Sequence, residues 1–391
     1  MEAWKIPLKM RNTKVIKFST RMSAELNESS TELYNQSKIF IYALMICGIP
    51  VSRFRYILSL LCCFAFLACC TLTFLNTCAC LVNLYSNFYV FTLATKIAAL
   101  VSWWSMYRRK KNYKELLQFL SDLQKKTKCK NKSKLSRYSI ICFLVFFFAL
   151  CNPGGMWGIF SRSRLSYLQP PTCHEFWVRM TQLQYTSYHI FLQLARQFSN
   201  WGVPFSATLF YSFYCNELTS KIDAFQKILK ERRSINSSAV INIYNITVKA
   251  ITELEDSSSL AVLFVLFTNF AEAFRTFSLF FSTRDVNIYS SRVLLPGIYF
   301  LQTAFLFMLL IYSADTLQRH FRLLRKRVLE TIDIKEAKSV HEGFRQSLKL
   351  IEDRERVRLT AWGMVEIKRT LVLTAVASLI TYGVLLSQVS P

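Results

Sequence analysis

The chain has 391 residues, 52% of them hydrophobic and 15% aromatic. Uncharged apolar runs of about twenty residues recur along it, which excludes a single soluble domain and describes a polytopic membrane protein. Its 49 Lys+Arg against 24 Asp+Glu would suggest nucleic acid in a soluble chain. In a membrane chain the positive-inside rule explains the excess, and nucleic acid is not expected as a partner.

The first element, residues 1–56, reads as a cytosolic basic leader without the apolar core of a cleavable signal. It closes on residues 39–51, too short to span, which end at Gly48-Ile49-Pro50 and read as an interfacial pre-helix. Six spans follow within residues 57–315: 57–82, 88–107, 138–160, 187–215, 258–282 and 293–314. Residues 107–137 form a basic loop with Leu-Leu-Gln-Phe-Leu-Ser-Asp-Leu as an amphipathic helix inside it. Asn152-Pro153-Gly154-Gly155 should kink or end the third span. Residues 161–186 are the one sizeable loop on the far side, and 216–256 return to a polar, partly helical segment. Residues 316–358 read as a charged helix with Phe344, Leu348 and Ile351 on one face. Residues 359–391 carry the final helix.

Charge sets the orientation. Of the 49 Lys+Arg, 39 fall in residues 1–56, 107–137, 216–256 and 315–358, and five in the intervening loops. That bias places the N-terminus in the cytosol, and seven crossings put the C-terminus outside. The glycosylation sequons at Asn27, Asn35, Asn131, Asn236 and Asn245 all fall on the cytosolic side, where they go unused. The expected fold is therefore an all-α membrane protein of seven transmembrane helices. G-protein-coupled receptors have the opposite orientation.

Ionisable groups inside a membrane are functional suspects by default. Lys96, Arg196, Glu272 and Arg275 lie within spans, and Trp157, Tyr188, His189, Gln193, Tyr299 and Gln302 fall at similar depth. They suggest a polar, aromatic-lined cavity open to the outside, the candidate ligand pocket. The plainer reading pairs Glu272 with Arg275 at i, i+3 and lets Lys96 and Arg196 satisfy backbone carbonyls. Cys62, Cys63, Cys69, Cys70, Cys142 and Cys151 sit in apolar runs as small hydrophobes, while Cys78, Cys80 and Cys173 leave room for one exterior bridge. His174, His189, His320 and His341 show no ligand spacing, and neither a catalytic triad nor a phosphate or dinucleotide loop is evident. An enzyme, a metal site and a cofactor are not expected.

The last apolar run, residues 371–389, is Leu-Val-Leu-Thr-Ala-Val-Ala-Ser-Leu-Ile-Thr-Tyr-Gly-Val-Leu-Leu-Ser-Gln-Val. Ser378, Thr381, Leu385 and Gln388 share one helical face. An unpaired Gln amide facing lipid costs several kcal/mol, so this face meets protein or water. Either a helix–helix hydrogen bond or a pore wall satisfies it.

Thr381-Tyr382, five residues, then Gln388 resembles the terminal signature of arthropod gustatory receptors. Ala361, Gly363, Ile367 and Leu371 resemble the segment ahead of it, although Val389 stands where that family has Phe. The resemblance implies a taste receptor of the insect chemoreceptor superfamily, acting in the plasma membrane as a ligand-gated non-selective cation channel. It implies a homo- or hetero-tetramer with other gustatory receptor subunits, opened by a small-molecule tastant. The last helix would line the central pore, with Leu385 as constriction, Gln388 at the outer mouth, and Tyr382 and Gly363 packing against neighbouring helices. The cytosolic segments would anchor the four subunits, and the basic loops could also meet membrane lipid. An odorant-receptor subunit that needs a co-receptor and a metabotropic seven-helix receptor stand as alternatives.

Overall fold

A computed structural model describes residue 49, residues 56–84, 87–127, residue 195, and residues 202–231, 237–282, 291–336 and 358–389. The described elements are α1 (Tyr56–Leu84), α2 (Asn87–Arg108), α3 (Lys110–Thr127), α4 (Val203–Glu231), α5 (Ser237–Ser282), α6 (Ser291–Glu336), strands β1 (Thr360–Ala361) and β2 (Val365–Glu366), and α7 (Thr370–Val389). The third-span region, the exterior loop, most of the leader and residues 337–357 lie outside the described residues.

The helices follow from apolar content and local satisfaction of polar groups. In α1 the hydroxyls of Thr71, Thr73 and Thr77 donate to carbonyls three or four residues back. Each is thereby satisfied without water. Among the described residues, two helices contain a stretch long and apolar enough to cross a membrane, one within Ser238–Phe277 of α5 and one within Tyr299–Thr331 of α6. Both helices are continuous over 46 residues. The polar segment before the fifth span and the charged segment after the sixth are thus extensions of the span helices, because no Pro or Gly interrupts the turn pattern there.

Amphipathicity builds the polar end of the bundle. Tyr113, Leu116, Leu120 and Leu123 recur at helical spacing on α3 and are all buried. Burial of each such side chain contributes about 1.5–3 kcal/mol. They meet α4, which is buried on all sides from Val203 to Cys215. The Tyr214 hydroxyl of α4 donates to the Tyr113 carbonyl at 3.2 Å, and the Tyr113 hydroxyl donates to the Ser257 carbonyl of α5 at 3.3 Å. The Phe210 ring stands edge-on to both tyrosines, at 4.6 and 4.5 Å between centroids. Between α4 and α6, Asp223 and His320 approach to 2.5 Å, and Gln226 donates to the His320 carbonyl at 3.0 Å while accepting from Arg327 at 2.9 Å.

Among the described residues, the fold departs from all-α at one place. Residues 359–369, expected as the start of the final helix, make an antiparallel hairpin pairing Thr360 with Glu366 and Ala361 with Val365. Trp362 and Gly363 turn it with φ of 53° and 69°, and the Met364 amide donates to the Ala361 carbonyl at 3.1 Å. Two positive φ values in succession reverse the chain tightly, at about 1–2 kcal/mol for the non-glycine residue. Gly363, expected in helix packing, is exposed in this turn and has open space around it. Leu359, Ala361 and Ile367 repay the strain by entering the core.

Glu255 of α5 receives the Thr360 amide at 3.2 Å and the Thr360 hydroxyl on the same oxygen. Burial raises its carboxyl above the usual range, offset in part by those two bonds. A raised folded value means that stability is greatest at low pH and declines as pH rises through that value. Glu255→Gln keeps the accepting oxygen, so its melting temperature at neutral pH should equal or exceed that of the wild type, with the advantage vanishing toward pH 4. Glu255→Ala, which orphans both donors, should cost about 1–3 kcal/mol in thermal unfolding of the purified protein.

Candidate functional site

The final helix is held at its N-terminal end and lightly along its length. Asp315 of α6 forms ion pairs with Arg369, 2.7 Å away, and Arg319, 3.6 Å away. The Arg369 guanidinium lies 5.1 Å over the Tyr312 ring. Gln318 donates to the Ile367 carbonyl at 2.9 Å, and Glu366 accepts from Lys368 at 2.8 Å. Beyond this seat, among the described side chains of α7, Leu379 and Gly383 are buried, with Leu371, Val372, Ala375 and Tyr382 half-buried on the same side. The Tyr382 ring packs on Phe274 of α5 at 3.9 Å between centroids.

Two other faces of α7 are exposed, and they differ in chemistry. One carries Leu373, Val376, Ile380 and Val384 and is wholly apolar. The other carries Thr374, Ser378, Thr381 and Leu385, the last 52% exposed. Ser378 and Thr381 donate to the Thr374 and Ala377 carbonyls, each at 2.9 Å. Their protons are used within the helix, which leaves oxygen lone pairs directed outward. Helical spacing adds Gln388 to this face; its side chain is outside the described residues.

The intramembrane suspects divide. Trp157, Tyr188, His189, Gln193 and Arg196 lie outside the described residues. Lys96 is buried between α2 and α1, donating to the Thr73 carbonyl at 2.5 Å and the Thr77 hydroxyl at 2.6 Å, so its ammonium fastens two helices. Glu272 is buried and takes both Arg275 Nε, at 2.8 Å, and Nη2, at 2.7 Å, on one oxygen. This is a pair within α5. The Tyr299 carbonyl accepts from Thr303 at 2.8 Å on α6. Gln302 differs, because its amide nitrogen is buried without a hydrogen-bond acceptor.

Asn269 shares that property and escaped the sequence reading. It is 2% exposed on α5, with Nδ2 lacking an acceptor. Its signal was a lone amide inside an apolar run, overlooked beside the charges. Buried amides without partners mark places where water or a ligand completes the bonding. Asn269 and Gln302 stand on helices that pack together. Among the described residues no cluster of His, Cys, Asp and Glu could hold a metal ion. Cys78, considered for an exterior bridge, is a free thiol.

No protein-family model matches the sequence, and no curated protein matches it. The arrangement nevertheless has the fold of a known class, the insect olfactory receptors. The structure of the olfactory receptor OR5 from Machilis hrabei superposes with a TM-score of 0.67 at 11% identity, covering 92% of this chain and 100% of that one. The same receptor in complex with eugenol superposes with a TM-score of 0.70 at 14% identity over 92% and 100%.

The Tyr382–Phe274 contact ties the C-terminal half of α7 to α5. Tyr382→Ala and Phe274→Ala should each lower stability by about 1–3 kcal/mol. Combined, they should fall short of additivity by about 0.5–1.5 kcal/mol, read from a double-mutant cycle of thermal unfolding.

Proposed function

We propose that this protein is a chemoreceptor of the insect chemoreceptor superfamily, a taste receptor that works as a ligand-gated non-selective cation channel. It is not an enzyme. It crosses the plasma membrane seven times with its N-terminus in the cytosol, and four copies, identical or mixed with related subunits, surround one pore. The observation that carries this reading is the final helix. It is pinned at its inner end, gripped on one narrow side, and offers a hydroxyl-bearing face and an apolar face to whatever surrounds it. Such a helix suits a pore wall, where one exposed face borders the ion path and the other borders a neighbouring subunit. The likeness in fold to an olfactory receptor solved with eugenol supports a small-molecule ligand. The terminal Thr-Tyr-to-Gln signature favours taste.

In this mechanism a small extracellular tastant enters between the outer halves of the helices. Gln302 and Asn269 supply unfilled donors there. The ligand opens the channel only in so far as it binds the open state more tightly than the closed one. Opening moves α7 about its pinned inner end and widens the ring at Leu385. The hydroxyl oxygens of Ser378 and Thr381 favour cations in the widened path, and Gln388 lines the outer mouth.

The fold likeness also supports a second reading, an odorant-receptor subunit that conducts only beside a co-receptor. Expression alone should yield ligand-evoked cation current under the first reading and silence under the second. In cells expressing the chain, Leu385→Ala should leak cations without ligand, and Gln388→Lys should depress cation permeation several-fold. Wild-type currents in both variants would remove α7 from the pore.

A further inference from the structure

The corner where α2 gives way to α3 concentrates positive charge beside an apolar surface. Arg108 ends α2, Arg109 forms the turn, and Lys110 and Lys111 begin α3. Arg108 and Lys111 are exposed, and Arg109 and Lys110 are half-exposed. Along the chain no acidic residue occurs between Glu32 and Glu115. Among the described residues, no carboxylate comes within ion-pair distance of any of the four. The four cations repel one another, and Lys110 and Lys111, in a first helical turn that holds no acidic group, also oppose the dipole of α3. An anion relieves both.

The surroundings indicate which kind of anion. One turn before the charges lies an aromatic shelf, with Trp103 and Trp104 stacked against Tyr107 at 5.3 and 6.5 Å between centroids. The Lys110 ammonium sits 4.2 Å above the Tyr107 ring. Trp104 is 57% exposed, and Ile97 on α2 and Leu60, Leu61 and Phe64 on α1 are exposed with it. An exposed apolar band, then an indole at its rim, then cations with no described carboxylate in reach, all within a few helical turns, is the order of a bilayer from chains to glycerol to phosphate.

We infer that the Arg108–Lys111 corner, with the Trp104–Tyr107 shelf above it, is a binding site for an anionic phospholipid of the inner leaflet. Phosphate oxygens meet Arg108, Arg109 and Lys111, while the glycerol and upper acyl chains lie against Trp104. Lys110 contributes from its seat on Tyr107. The assignment rests on the topology proposed above, which puts this corner at the cytosolic surface. It needs no channel activity.

The test uses the purified full chain in nonionic detergent, titrated with dioctanoyl phosphatidylserine or dioctanoyl phosphatidylcholine and read as a shift in melting temperature. Phosphatidylserine should stabilise the wild type and phosphatidylcholine should not. The triple variant Arg108→Gln/Arg109→Gln/Lys111→Gln should bind phosphatidylserine at least about tenfold more weakly. A control, Arg322→Gln/Arg325→Gln/Lys326→Gln, removes as many cations from α6 and should bind as the wild type does. Trp104→Ser, which leaves the charge intact, should also weaken binding, and it serves if the triple variant does not fold. Equal affinity in wild type and both corner variants would overturn the site, as would equal loss in the control. Stabilisation by inorganic phosphate at the same concentrations would assign the corner to a soluble anion instead. Because the readout is binding, a protein that conducts no ions would still answer the question.

Discussion

The last helix begins where a two-stranded hairpin ends, and the hairpin is seated on the two long helices by hydrogen bonds and an ion pair. Glu255 holds Thr360, Gln318 holds the Ile367 carbonyl, and Asp315 holds Arg369. Short strands cannot satisfy their own edges, and a buried unpaired backbone group costs as much as a lost hydrogen bond. Two long helices, α5 and α6, therefore supply the missing partners at fixed heights. The seat determines where α7 starts and how its faces are turned. Everything proposed for the pore inherits that geometry.

The same demand for polar satisfaction explains the interior of the bundle. Many Thr and Ser hydroxyls close back on their own helices, Lys96 spends its protons on α1, and Glu272 is matched by Arg275 one turn away. Among the described residues, the charges that seemed free to meet a ligand are occupied: Lys96 joins two helices, and Glu272 and Arg275 pair within one. Two neutral groups within the apolar stretches of α5 and α6, the amide nitrogens of Asn269 and Gln302, are buried without an acceptor. A neutral amide is cheaper to leave without a partner than a charge, so a site that must be empty and full in turn is better built from amides.

Several features were legible before the structure because they follow from local rules. Leu116, Leu120 and Leu123 announced the amphipathic α3 by spacing alone, and Lys96, Glu272 and Arg275 stood out against apolar neighbours. The polar face through Ser378 and Thr381 could be drawn on a helical wheel. The hairpin was not legible. Its strands are two residues long, too short for alternation to register, and its turn uses Trp at a left-handed position where Asn or Gly is the usual signal. The continuity of α5 and α6 was hidden too, since polarity changes midway along each helix while helical propensity does not.

Sequence alone determined what depends on composition and near neighbours: the apolar spans, the bias of charge to one side, the amphipathic faces and the chemistry each helix can offer. Tertiary structure alone decided which of those faces found a partner. It turned residues 359–369 out of the helix, gave Lys96 to α1, pressed Tyr382 on Phe274, and left two sides of α7 exposed. The reason is physical. A side chain's energy in a membrane protein is set less by its own polarity than by whether a donor, acceptor or ring waits at contact distance, and those contacts join residues dozens to more than a hundred positions apart in the chain.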